Sequence, residues 1–263
     1  LDTLAAGDVP DEAVTRGVAR GPLRTAFVFP DRAEGLVDAA SELLGTSPVF
    51  ASAMAECAAA LAPHTGFALL DVLRDEPGRL ADPAVARPVL WAATVSLAEM
   101  WSALGITPAA VVGVGVGEIA AACAAGVLSR TEGALLAAGQ GRLLAEHEHE
   151  HEHEHEHEHE YDDDAVAGTP EADSSQEQLR ALAAQVTAGA GRVRMYSAVT
   201  GARLAAGDLN AEHWYRTLRE PAGSDAAVKA LLGDGVEAVV ELGTLVSPET
   251  ATAVEEALSL IHI

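Results

Sequence analysis

AVVGVGVGEIAAACAAGVLS, residues Ala110 to Ser129, decides the fold. A short β-branched run at Val111 and Val112 enters a glycine turn, Gly113-x-Gly115-x-Gly117. A helix of small residues follows, Glu118 to Ala125, with Gly126 as its C-terminal cap. Strand, sharp turn and helix are the layout of a nucleophile elbow, in which an exposed serine sits on the turn. This turn holds no serine. The glycines do not spell the dinucleotide-binding G-x-G-x-x-G, because Glu118 stands where the third glycine belongs. No Lys-Ser/Thr pair follows, so a phosphate loop is also excluded.

Working outward, strand and helix signals alternate. Thr25 to Phe29 (TAFVF) reads as a buried strand ending at Pro30. Leu36 to Leu44, Val49 to Leu61 after Pro48, and Leu69 to Leu73 read as helices. Pro88 is expected to start a long apolar helix, Val89 to Leu104, stopped by Gly105. Beyond the elbow come a helix at Thr131 to Leu144, another at Gln176 to Val186 and a strand at Val193 to Val199. Helices at Ala211 to Leu218 and Ala226 to Leu232 precede a strand, Ala238 to Leu242, and a closing helix from Pro248. The expected class is α/β, with a mostly parallel central sheet flanked by helices.

The core must be built mainly from Ala, Val and Leu, since aromatic residues make up only 4 % of the 263. The formal net charge is −24, and much of it is local: residues 146–164 hold eight Glu and three Asp, with no Lys or Arg. So acidic a chain argues against nucleic acid or an anionic membrane as partner, because both need a basic footprint. Two cysteines, Cys57 and Cys123, are too few for a disulfide framework, so a reduced, cytoplasmic setting is expected. No apolar run reaches membrane-spanning length.

These readings divide the chain into five parts. Residues 1–24 are expected to be a linker and entry helix, cut from a longer polypeptide. Residues 25–144 and 176–258 are two parts of one subdomain. Residues 145–175 form a solvated low-complexity loop containing EHEHEHEHEHEHEHE, and 259–263 are a tail of foreign composition. In an extended chain His147, His149, His151, His153, His155, His157 and His159 project to one side and could hold a metal weakly. The blander readings of the tract are a charged linker or an affinity tag.

Several segments in collinear order resemble one family. They are LDTLAAG, TAFVFP, ELLGTSPVFASAMAECAAALAPH, LLDVLRDEPG, VSLAEMWSALGITPAAVVG, GEIAAACAAGVLS, YSAVTG and WYRTLREP. Together they resemble the acyltransferase domain of modular type I polyketide synthases, in the malonyl-CoA:ACP transacylase superfamily. The resemblance implies an elbow reading G-H-S-x-G-E, whose serine attacks an acyl thioester with help from a distant histidine. It also implies an oxyanion hole, made by the N–H after the serine and a glutamine in an early G-x-G-x-Q loop. An arginine on the following helix would pair with the extender carboxylate. No cofactor is implied. The implied partners are the neighbouring ketosynthase with its linker, and acyl carrier protein.

Carried over position by position, the catalytic set is absent. The serine position is Gly115 and the histidine before it is Val114. The early glutamine position is Gly35, and the arginine position, 25 residues after Gly115, is Gln140. Val116 alone would offer its backbone N–H to an oxyanion. No histidine lies between Glu160 and Glu212, so the general base is missing under any alignment. The family's small ferredoxin-like subdomain is expected to be truncated or absent, because Gln140 and Tyr196 lie only 56 positions apart. Random decay strikes helices and strands as readily as catalytic positions, yet the scaffold segments read as intact. The expectation is a catalytically inactive acyltransferase-like domain kept as a structural or docking element. Two alternatives stand beside it: residual acyl transfer or thioester hydrolysis through another nucleophile such as Cys123, and metal binding by the His-Glu tract. Cys57 and Cys123 otherwise read as small core residues. His213 reads as a packed surface or interface histidine, and Ser129 as a helix cap.

Overall fold

The computed structural model describes residues 23–32, 35–154, 177–178, 180–219 and 224–243. Five strands form one sheet: β1 (Thr25–Phe29), β2 (Ala110–Gly113), β3 (Arg194–Ser197), β4 (Ala202–Arg203) and β5 (Ala238–Glu241). Their spatial order is β4-β3-β2-β1-β5. All pairings are parallel except β3 with the short edge strand β4. The helices are α1 (Leu36–Thr46), α2 (Pro48–Leu61), α3 (Leu69–Asp75), α4 (Pro83–Ala103), α5 (Val116–Ala124), α6 (Arg130–Glu154), α7 (Ala211–Arg219) and α8 (Ser224–Gly233).

The central strands β1 and β2 are buried on both faces, as the middle of a parallel sheet with crossover helices must be. Successive side chains of a strand point to opposite faces. Phe27 and Phe29 of β1 and Val111 of β2 join the larger core, with Trp91 of α4 and Ile119 of α5. Ala26, Val28, Ala110 and Val112 face the other way, onto Ala227 and Leu231 of α8. The α/β class and the mostly parallel sheet are therefore as expected. Among the described residues no single helix is long and apolar enough to cross a membrane.

Three boundaries differ from the sequence reading. The long apolar helix starts at Pro83, not at Pro88. Asp82 caps it by accepting from the Ala84 N–H at 2.8 Å, and Pro83 takes the first helical position, where no N–H is needed. Pro88 lies inside the helix and is buried. Its ring forfeits one helical hydrogen bond, a loss that packing of the apolar face outweighs.

The second difference is in α6, whose backbone runs on to Glu154, so the loop expected from Ala145 begins later. Glutamate is a good helix former, and it is half of the tract. The extended backbone that would line the histidines along one side is therefore not found as far as 154. The side chains at 147–154, and all of His155, His157 and His159, lie outside the described residues, as do residues 1–22, the closing helix and the tail. Third, of the helix expected at Gln176 to Val186, residues 177–178 and 180–183 are helical, and Ala184 and Gln185 turn.

Ser129 starts α6 through a reciprocal cap. Its Oγ accepts the Glu132 N–H at 3.2 Å, and Glu132 Oε2 accepts the Ser129 N–H at 2.8 Å. Glu132 Oε1 also accepts the Thr187 N–H at 2.9 Å, tying α6 to the segment before β3. Burial would raise the Glu132 carboxyl, but these hydrogen bonds outweigh it and hold the group below its ordinary 4.5. Its stabilisation is present above that value and is lost as pH falls through the lowered one. Glu132→Ala is expected to cost about 1 kcal/mol at neutral pH. The difference from the parent chain should shrink in urea titrations as the pH is taken down from 4.5.

Candidate functional site

The carboxyl ends of adjacent parallel strands are where α/β folds place their sites. Here β1 and β2 pair Val28 with Val112 and Phe29 with Gly113, so the chain after Phe29 lies against the turn after Gly113. The Val114 N–H donates to the Phe29 carbonyl at 3.1 Å. The contact leaves no room for side chains. A Cβ on Gly117 would come within 2.4 Å of the Phe29 and Pro30 carbonyl oxygens, and one on Gly113 within 2.2 Å of the Gly117 carbonyl. The glycine pattern thus serves close approach of strand end, turn and helix.

Gly115 has a different reason. Its φ is 52° and its ψ −124°, a conformation that strains any residue with a Cβ. This is the sharp turn of an elbow, with glycine at position 115. Three further sequence-derived site residues are now placed. Val114 is half-buried at the turn, Val116 opens α5 and is buried, and Gly35 (φ 72°) precedes α1 with open space around it. Gln140 is buried on α6, and its Oε1 has no hydrogen-bond partner among the described residues.

The sequence reading missed what fills the turn. Asp31, two residues past β1, points its carboxylate at Gly115. A Cβ on residue 115 would lie 1.9 Å from Asp31 Oδ1. The same oxygen accepts the Val116 N–H at 3.1 Å and pairs with the Arg87 guanidinium of α4. Arg87 also donates to the Asp31 carbonyl at 3.0 Å. The Val116 donor expected to face an oxyanion is therefore engaged by the chain's own carboxylate. An arginine does reach the elbow, but from α4. Its β-carbon packs 3.3 Å from where a Cβ on Gly141 would be, beside the Gln140 position.

Burial raises the Asp31 carboxyl above its ordinary 3.8, and Arg87 and the Val116 N–H only partly offset this. The folded chain thus holds that proton more tightly than the unfolded one. The group's contribution to stability is complete below 3.8 and falls as pH rises through the raised value.

A second buried pair braces the elbow helix. Glu118, with no exposed surface, lies 2.7 Å through Oε1 from Nε2 of His213 on α7. His213 is itself buried, which corrects the expected surface or interface position. An acid inside an otherwise apolar stretch was the available signal, because a buried carboxylate needs a partner.

Neither thiol stands at the turn. Cys123 sits eight residues along α5 from Gly115, about 12 Å at helical rise. Burial pushes both the Cys123 and the Cys57 thiol up to about 12, away from the reactive thiolate. Among the described residues no group of three or more His, Cys, Asp or Glu could hold a metal ion.

Comparison with known proteins places this geometry. The model of the acyl transferase domain family matches residues 27–167. Polyketide synthase GfsB of Streptomyces halstedii is 35 % identical over 312 aligned positions, covering 98 % of this chain and 6 % of that protein. Erythronolide synthase EryA2 of Saccharopolyspora erythraea is 34 % identical over 97 % of this chain and 9 % of its own length. The chain thus spans less than a tenth of the length of either protein. The alignment with GfsB is longer than the chain itself, so that relative carries residues this chain lacks. The acyltransferase domain from module 8 of the salinomycin polyketide synthase superposes with a TM-score of 0.75 at 30 % identity, over 98 % of this chain and 74 % of that one. With the family model matching more than half of its residues, and a relative of known structure matched over nearly its whole length, this chain belongs to the acyl transferase domain family.

Proposed function

We propose that this chain is a polyketide synthase acyltransferase domain that no longer transfers acyl groups and acts as a structural or docking element. One observation carries the reading: the elbow is kept in its strained form, yet position 115 is a glycine whose side-chain volume is filled by Asp31. The family role is transfer of malonyl or methylmalonyl groups from CoA to acyl carrier protein. That route needs a serine, a general base and a free oxyanion donor acting as a unit. Here the serine position is glycine, the described residues put no histidine at the turn, and the Val116 N–H is engaged.

A domain that retains its sheet and helices without the chemistry still presents a surface. The relatives are long polyketide synthases, which supports a neighbouring ketosynthase and its linker as partners, with acyl carrier protein as a further one. Cys57 and Cys123 are free thiols, which suits a reducing cytoplasm. The test is intact-protein mass after incubation with malonyl-, methylmalonyl- and acetyl-CoA. No mass gain is expected with any of the three. A stoichiometric acyl adduct would overturn the reading.

A further inference from the structure

The gap at Gly115 is filled from within the chain, and by a particular chemistry. Three groups from three elements meet there: the carboxylate of Asp31 after β1, the first N–H of α5, and the guanidinium of Arg87 on α4. A helix N-terminus attracts anions in general. A guanidinium aimed at the same oxygen from a second helix adds a fixed positive charge, which favours a carboxylate. Such an acceptor is already in place, and the missing Cβ at 115 gives it room. The side chains of Arg87 and Asp31 are 23 % and 30 % exposed, so the pair is only partly withdrawn from water.

We propose that Arg87 and the Val116 N–H form a carboxylate-binding site at the elbow, and that Asp31 is its resident ligand, closing the site to acyl groups. This goes beyond the reading of the domain as a structural element and holds whichever partner the domain contacts. Asp31→Gly removes a group equivalent to acetate. It leaves a half-buried guanidinium and a helix-end N–H without their acceptor, facing a gap of that size. Free acetate is the ligand whose shape and charge fit the gap.

The experiment compares thermal unfolding of the unaltered chain and of Asp31→Gly in sodium acetate and in sodium chloride of equal ionic strength. In chloride the variant should melt below the unaltered chain. At about 0.1 M acetate its midpoint should rise by several degrees, as ligand binding to the folded state requires. The unaltered chain should respond equally to the two salts. Adding Arg87→Gln to Asp31→Gly should remove the acetate effect. Equal response of Asp31→Gly to both salts, or specific stabilisation of the unaltered chain by acetate, overturns the proposal. The Val116 amide resonance of the unaltered chain gives a second reading that does not depend on the variant folding. It should move as Asp31 titrates and stay unmoved by acetate at pH 7. A resonance indifferent to Asp31 protonation, or displaced by acetate, overturns it equally.

Discussion

Serine placed at position 115 is expected to destabilise the chain by about 3 kcal/mol and to leave it unacylated by malonyl-CoA. Two costs add. A residue with a Cβ at φ 52°, ψ −124° carries strain of about 1–3 kcal/mol. Its Cβ also falls 1.9 Å from Asp31 Oδ1, so the carboxylate must leave its two partners. Losing a charge-assisted hydrogen bond costs about 1.5–3 kcal/mol. The second cost depends on Asp31, the first does not. Asp31→Gly combined with Gly115→Ser should therefore lose less than the two single changes together, with a coupling of about 1–3 kcal/mol in urea unfolding. Strict additivity would show that Asp31 does not occupy the space of residue 115. Val114→His added to Gly115→Ser should not rescue acylation, because the distant general base is still absent: no histidine lies between Glu160 and Glu212.

The elements were legible where the local signal was strong. TAFVF and AVVG are compact apolar runs bounded by proline and glycine, and both are strands in register with one another. The helix around Trp91 was legible in type but not in extent. Pro88 reads as a start, while the real one, capped by Asp82, is Pro83, five residues earlier. The His-Glu tract has no apolar face and reads as loop, but helix propagation from α6 needs only residues that tolerate it. The sharp turn at Gly115 was legible because the elbow motif fixes it within five residues. Its occupant was not. Asp31 and Arg87 are 56 positions apart and meet only because β1, the turn and α4 converge. No local pattern encodes that pair, and a search for catalytic residue types passes over a residue that fills the space beside a glycine.

The buried pair Glu118–His213 should show the largest single-residue effect outside the apolar core. His213→Ala removes the partner of a carboxylate with no exposed surface, whose other oxygen already lacks a hydrogen bond among the described residues. Stranding a buried charge in this way costs about 3–5 kcal/mol. Glu118→Gln should cost far less, because an amide at the same place keeps a hydrogen bond to the imidazole without a charge to desolvate. Replacing both residues by leucine should also cost less than His213→Ala, since buried pairs often exchange for apolar contacts at little loss. Chemical unfolding of the three variants separates these cases. Similar losses in all three would assign the effect to packing around the Trp214 ring, which meets the His213 ring edge-on at 5.2 Å. The expected order, with His213→Ala worst, assigns it to the charge. Glu118 lies in the first turn of α5, three residues after Gly115, and His213 in the first turn of α7. Their bond is what fixes the helix behind the elbow to α7. The brace thus holds in place the helix whose first N–H the Asp31 carboxylate engages.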